Sequence, residues 1–447
     1  MELLNNKKNN TATLFLYVAI ALLAFGMLFG LLGTFQYFIP GLAKQYFSFE
    51  KTRPLHVSSV LFWILLAASG GVLSYLQEYT QKTIRYPFLL KLQWLLFSGT
   101  VIVIIGTYFM GIYGGREYWE FNPVLALPLI LAWIFFIINF LGTIGSLKNQ
   151  PVYVWMWLTG LVFFLFTFLE SYLWVFPYFR NNIINDMTIQ WKSYGSMVGA
   201  WNMLIYGSGI YLLEKISGQK SYGHSSIAFV LYFTSLTNLM FNWGHHIYTL
   251  PTHHFIKHIS YVISMSELFI FGRIIYKWKD TVSEAQKLYH HFAYKFLLAS
   301  DIWVFLSLAL AIGMSIPAIN VYTHGTHITV AHAMGTTIGI NSFILLAIVL
   351  DILYHNVAVT ASKTKWMLYG FWLVNFSLLF FWCSLIGLGI IKSNWQMQIT
   401  KAPFNELMTM SKPLFITLSA SGTLLLAGFF AILIPLIKSQ FKNAKTY

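Results

Sequence analysis

The stretch FNWGHHIYTLP, residues 241–251, decides how this chain is read. It closes a long apolar segment and sets His245 beside His246 close to where that segment ends. An imidazole inside a bilayer is costly unless it binds something, so an intramembrane ionisable residue marks a site. Neighbouring positions on a helix diverge by about 100°, and a metal lying against the helix is one of the few partners that can engage both rings. One pair proves little by itself. Three other segments put ligand-type side chains at the same depth, and that coincidence carries the reading.

The depth argument needs the topology first. The chain has 447 residues, 57% of them hydrophobic and only 9% charged, with a mean hydropathy of +0.65. That is an integral membrane protein, not a soluble domain with one anchor. Apolar stretches of roughly 20 residues or more, enough to cross hydrocarbon as helices, fall near 12–40, 56–78, 87–113, 122–146, 150–178, 190–214, 224–250, 253–277, 290–322, 326–354, 364–392 and 408–438. The short alternating strands of a membrane barrel are not in the pattern. The fold class is therefore all-α: a polytopic membrane protein of about twelve transmembrane helices, read as one transmembrane domain over residues 1–447. The polar start MELLNNKKNN leads into a full-length span, which does not read as a cleavable signal peptide.

An even number of spans puts both termini on one side. The loops of that side hold Lys7, Lys8, Lys82, Arg85, Lys148, Lys215, Lys220, Lys277, Lys279 and Lys287, and further lysines toward the C-terminus. The opposite loops hold fewer, among them Lys44, Lys51, Arg53, Arg116, Arg180, Lys392 and Lys401. The positive-inside rule makes both termini cytoplasmic. The net charge of +14 is this topology signal, and nucleic acid is excluded as a partner because the lysines are scattered over short loops. The single Cys383 rules out an internal disulfide or a four-cysteine cluster.

With orientation set, four segments meet in one outer layer. His56, in RPLHVSSVLFW (53–63), begins the second span; Tyr194, in IQWKSYGSMVGAW (189–201), lies near the start of the sixth. His245 and His246 end the seventh, and His332 and Met334, in THGTHITVAHAMG (323–335), lie one to two turns into the tenth. Histidine, methionine and tyrosine can all ligate haem or a metal. Each has a plainer reading when taken alone: His56 as an interfacial hydrogen-bonding group, Met334 as a filler of apolar gaps, Tyr194 as an interfacial ring. His245 and His246 with His332 at matching depth do not share that plainness. His253, His254 and His258 follow Pro251 at the outer turn, and His290 and His291 sit at the cytoplasmic mouth, where all read as interfacial.

This layout of His at helix two, His-His at helix seven and His at helix ten resembles the large, catalytic subunit of the haem-copper oxidoreductases. In detail it is similar to the nitric oxide reductase branch (the cytochrome bc type). GGREYWEF (114–121), WGHHIY (243–248), ISMSELF (263–269) and YTHGTHITVAH (322–332) carry the likeness. The resemblance implies a haem-copper oxidase subunit I-like bundle in a bacterial inner membrane. It implies His56 as an axial ligand of a six-coordinate, low-spin haem and His332 as the proximal ligand of a high-spin haem. It also implies that His245 and His246 bind a non-haem iron, with Glu267 on helix eight in proton supply or iron ligation. Glu117 would bind a calcium that bridges the haem propionates, Arg116 would pair with a propionate, and Glu120 would stand at the outer proton entrance.

The chain departs from the family pattern at three positions. Met334 occupies the place of the second low-spin axial histidine, and a His/Met pair raises a haem's potential over a bis-His one. Tyr194 stands where a third iron-binding histidine is expected, and Val198 where the branch has a second active-site glutamate. Without a Cys-x-x-Cys-His run, both haems are expected to be b-type. The expected activity is reduction of nitric oxide to nitrous oxide, with electrons from a small cytochrome c-type subunit or a soluble cytochrome. Three alternatives stand beside it: dismutase-like NO chemistry, oxygen reduction of the C-family type with Tyr194 or Tyr248 as a redox-active ring, and a dihaem electron-carrier or gas-binding subunit without the second metal. A transporter would gather its polar groups at the midplane, and this cluster lies at one outer layer. The cytoplasmic half offers isolated acids such as Asp301 and Asp351, which do not make a proton channel.

Overall fold

The computed structural model describes residues 11–219, 222–263, 284–354 and 361–443; Glu267 lies outside them. Among the described residues the chain is built of helices and turns, and the one isolated strand-like bridge joins Arg116 to Trp119. Nine helices there are long and apolar enough to cross a membrane: Thr11–Gln36, Phe49–Thr80, Pro87–Phe109, Pro123–Ile144, Val152–Val175, His291–Ser315, His327–Tyr354, Thr364–Met397 and Phe404–Lys438. They coincide with nine of the twelve expected segments. The sixth segment is helical within Ile183–Ser217, but its serines, glycines and charged ends dilute its apolar character. The seventh is the helix Ser226–Phe241, continued by a tighter 3₁₀ turn over Asn242–Ile247. The eighth lies largely outside the described residues.

The chain divides into two compact units. The first comprises Met1–Val18, Ile64–Ile104 and Asn122–Leu297. Lipid tails are as apolar as leucine, so helices in a bilayer associate through close packing and interhelical hydrogen bonds. Tryptophans supply both here. Trp133 packs on Phe164 with centroids 4.1 Å apart and donates to the Leu161 carbonyl at 2.9 Å; Trp157 donates to Ser208 Oγ at 3.0 Å. The helix Ile183–Ser217 starts where the Asn182 side chain accepts from the backbone N–H groups of Ile184 and Asn185, and it stops at Gly218, whose φ of +70° no side-chain-bearing residue adopts easily.

The second unit comprises Ala19–Trp63, Ile105–Phe121 and Leu298–Tyr447. Ala331, Leu385, Leu388, Phe415 and Leu418 form one buried apolar cluster in it. The tenth segment is a composite: α-helical over His327–Met334, π-helical over Gly335–Ser342, α-helical again over Phe343–Tyr354. Departures of this kind from α geometry occur frequently at functional sites. Here the wider turn begins immediately after the His332–Met334 pair. Trp63 donates to Ser342 Oγ at its far end, 3.0 Å away.

Candidate haem and metal ligands

His56 sits in the second turn of the helix Phe49–Thr80. Its Nδ1 is 2.7 Å from the Gly26 carbonyl oxygen. A carbonyl only accepts, so Nδ1 carries the proton and Nε2 is left with its lone pair, the tautomer an iron ligand needs. The ring has room because of GMLFG (26–30): a Cβ at Gly30 would stand 2.5 Å from His56 Nδ1. A Cβ at Gly26 would come within 2.8 Å of Val60 Cγ1. The residues present fit a haem ligand at His56.

On the tenth segment the THGT run has a mechanical role. Gly325 takes φ +70°, Lys392 Nζ donates to its carbonyl at 2.7 Å, and Thr326 Oγ1 caps the helix by accepting from the Ile328 N–H. That start puts His332 and Met334 two residues apart on one helix, pointing to different sides. His332 Nδ1 is buried and has the Ser307 backbone as its hydrogen-bonding neighbour. Met334 packs at the edge of the apolar cluster, which Leu310, Phe381, Trp382 and Leu414 also join.

In the first unit the sixth and seventh segments bring four aromatic side chains together. His245 and His246 have ring centroids 4.1 Å apart. Trp191 stacks on His246 at 5.4 Å and 10°, and meets Tyr194 edge-on at 6.5 Å. His245 Nδ1 lies 3.0 Å from Asn242 Oδ1, and the Asn242 carbonyl in turn accepts from Ser260 Oγ at 2.6 Å. This approach depends on GSMVG (195–199). A Cβ at Gly195 would stand 2.7 Å from Trp243 Cβ, and one at Gly199 2.9 Å from Leu239 Cα. Small residues at this spacing let two membrane helices meet backbone to backbone. Tyr194 is buried. Among the described residues no group of three or more His, Cys, Asp or Glu side chains is placed to hold a metal, so a metal here would draw on two imidazoles and groups of other kinds.

The GGREYWEF loop folds into a tight hairpin. The Gly114 and Gly115 N–H groups donate to the Glu120 carbonyl, and Arg116 and Trp119 exchange backbone hydrogen bonds. Glu117 and Tyr118 form the tip, with Tyr118 at φ +72°. Phe62 anchors the loop against Trp119 and Phe121. Both glutamates close on one cation: Arg53 Nη2 meets Glu117 Oε1 at 2.6 Å and Nη1 meets Glu120 Oε1 at 2.7 Å. Arg53 is one helical turn from His56. Burial raises the Glu120 carboxyl above the usual range, and the Arg53 charge opposes that shift. With one oxygen of each glutamate given to a guanidinium and Glu120 Oε2 buried without a partner, the pair by itself falls short of the six to eight oxygens that calcium takes. Arg116 stands on the hairpin next to Glu117, half-buried.

Sequence reasoning counted Arg53 only as a topological charge, noted Gly199 only as matching the family pattern beside Tyr194, and passed over Gly26, Gly30, Gly195 and Asn242. The signals were present. Arg53 stands three residues before His56, and both glycine pairs have the G-x-x-x-G spacing.

The family described as cytochrome c and quinol oxidase polypeptide I matches residues 10–425. The nitric oxide reductase B-subunit of Stutzerimonas stutzeri is 21% identical over 410 residues, which span 84% of this chain and 83% of that protein. A cytochrome c oxidase subunit 1 homolog of Agrobacterium tumefaciens is 35% identical over 145 residues, 31% of this chain and 26% of that one. Cytochrome c oxidase subunit 1 of Rhodobacter capsulatus is 30% identical over 149 residues, 31% of this chain and 27% of its own. A solved haem-copper terminal oxidase dimer shares the fold, with a TM-score of 0.72 at 14% identity over 96% of this chain and 84% of that chain.

Proposed function

This chain belongs to the cytochrome c and quinol oxidase polypeptide I family, and on that footing we propose that it is the large subunit of a nitric oxide reductase-like enzyme. Two NO, two electrons and two protons give N₂O and water. His56 and Met334 would hold a low-spin haem b, His332 a high-spin haem b, and His245, His246 and Tyr194 a non-haem iron, with Glu267 serving in proton supply or iron ligation. When bound, a non-haem iron held by His245, His246 and Tyr194 would supply Lewis acidity to the negative charge that develops on an NO oxygen. Protons enter from the outer side past Glu120, whose buried carboxyl is held at Arg53. Electrons come from a cytochrome c-type partner at the same side, in a bacterial cell membrane with both termini cytoplasmic.

The observation that carries this reading is the packing of Gly195 and Gly199 against Trp243 and Leu239. It draws the Tyr194 helix onto the two histidines that a second metal needs, in a chain related over most of its length to a nitric oxide reductase protein. Metal and haem analysis of purified protein, joined to NO consumption, tests it. Two haems with one non-haem iron and steady NO loss support the enzyme. Two haems without further iron support an electron-carrier role instead. Oxygen reduction is the second reading, favoured by the local likeness to cytochrome c oxidase subunit 1 homologs; oxygen uptake faster than NO uptake under the same donor would select it.

A further inference from the structure

Where the seventh segment turns into the eighth, the chain reads PTHHFIKHISYVI (251–263), with histidines at 253, 254 and 258. The described residues are helical from His254 to Ile263. One face of this helix is docked on the turn that carries His245 and His246. An added Cβ at Gly244 would stand 2.9 Å from Ile256 Cγ2 and 3.1 Å from Ser260 Cβ. Ser260 Oγ donates to the Asn242 carbonyl at 2.6 Å, and the Tyr248 hydroxyl donates to the Lys257 carbonyl at 3.4 Å. Ile256 and Ser260 are one helical turn apart and share the docked face. His254 and His258 each stand two positions from Ile256, about 160° round the helix. Both are exposed. The docking therefore turns two imidazoles, one helical turn apart, away from the protein together.

Side chains four positions apart on a helix are neighbours, with about 5–6 Å between Cβ atoms, and two histidines at that spacing are how a helix chelates zinc. His253 stays out of the pair, because its ring stacks on Phe255 with centroids 5.8 Å apart. Imidazole donors take zinc, copper and nickel, whereas magnesium and calcium call for oxygen. Two ligands are fewer than the four of a closed zinc site, so water completes the coordination. Lys257, the nearest cation by sequence, stands on the flank of the helix, about 60° from His254 and about 100° from His258. The docked face holds the backbone that carries both rings, so little ordering is required when an ion binds. We propose that His254 and His258 form a surface site for one divalent ion of the zinc and copper class, on the far side of this helix from Asn242.

The site is independent of which residues hold haem or a second iron, and its test reads binding alone. Calorimetric titration of the full-length, haem-loaded protein with Zn²⁺ measures it, and paramagnetic resonance with Cu²⁺ counts the imidazoles through their nitrogen couplings. The parent should show a zinc-binding event that His254→Ala and His258→Ala each abolish while the haem spectrum stays unchanged. Its copper signal should carry couplings from two imidazoles. His253→Ala should keep both the event and the couplings. Val262 is exposed and stands one helical turn beyond His258, so Val262→His in the His254→Ala background rebuilds the spacing and should restore zinc binding. A zinc isotherm that survives both single alanine variants overturns the site. A loss in His253→Ala as large as in His254→Ala overturns the assignment to this pair, and a failed rescue by Val262→His overturns the helical spacing as its basis.

Discussion

The indole of Trp191 lies stacked on the imidazole of His246, 5.4 Å between centroids and 10° from parallel. Adjacent histidines on a helical turn do not face one way unaided, so their orientation has to come from neighbours. Trp191 fixes one ring; Asn242, itself tied through its carbonyl to Ser260, fixes the other. Groups that orient a ligand are worth about 10–100-fold in metal affinity. Trp191→Leu should therefore bind iron at least about tenfold more weakly with both haems retained, as read by iron titration of the apo-protein and a haem spectrum.

Tyr194 is the neighbour that chooses between a metallated site and an empty one. A phenolate on ferric iron gives a charge-transfer band in the oxidised protein, and Tyr194→Phe should abolish that band together with the non-haem iron. Tyr194→His should rebuild a three-histidine site and hold iron at least as well. Iron content and NO turnover that survive Tyr194→Phe unchanged would mean that the ring only packs.

Arg53 carries two loads one turn from His56. In Arg53→Gln the Glu120 carboxylate, whose side chain is 13% exposed, loses its cation. Breaking a buried pair on one side costs about 3–5 kcal/mol. Glu117 is 42% exposed and its share is screened, so a loss of roughly 2–3 kcal/mol is the working expectation. Thermal unfolding of the haem-loaded protein measures it. Arg53→Lys should recover only part, because a lysine cannot serve two carboxylates with a planar fork.

Much of this was legible in the sequence, and the parts that were not share a cause. Nine apolar segments were found because twenty-odd apolar residues declare themselves by composition alone. His245–His246 declared themselves by cost, since hydrocarbon tolerates such a pair only with a purpose. Arg53 did not, because what makes it informative is the distance to Glu117 and Glu120, some 65 positions along the chain. Asn242 was silent for a related reason: an ordinary polar residue becomes notable only when its neighbours across space are known. The glutamates of the GRE loop were read with separate roles, Glu117 for calcium and Glu120 for proton entry, and both meet one side chain of the second helix, Arg53.

Glu120 predicts a pH signature. Burial raises its carboxyl, so the folded protein holds that proton to higher pH than the unfolded chain does. The native state then binds more protons than the unfolded state between the two values, and stability falls as pH rises through that interval. Below the ordinary glutamate range both states are protonated and the effect vanishes. Glu120→Gln, which cannot titrate, should unfold with a flatter pH profile through the same interval. Parallel profiles for parent and variant would remove Glu120 as the group responsible.

Met334 decides the character of the electron-accepting haem. Its side chain packs at the edge of a cluster with Leu310, Phe381 and Trp382, a setting that suits a thioether both as a ligand and as filling. The two roles separate on substitution. As an axial ligand, Met334 holds the haem at a higher potential than two imidazoles would, so Met334→His should lower the midpoint potential and remove the weak far-red thioether-to-iron band of the oxidised haem. Met334→Leu should leave that haem five-coordinate and able to bind carbon monoxide. As filling alone, Met334→Leu is a nearly volume-conserving exchange that costs less than about 1.5 kcal/mol and changes neither spectrum nor potential. A low-spin spectrum and an unshifted potential in Met334→Leu would take Met334 out of the ligand set.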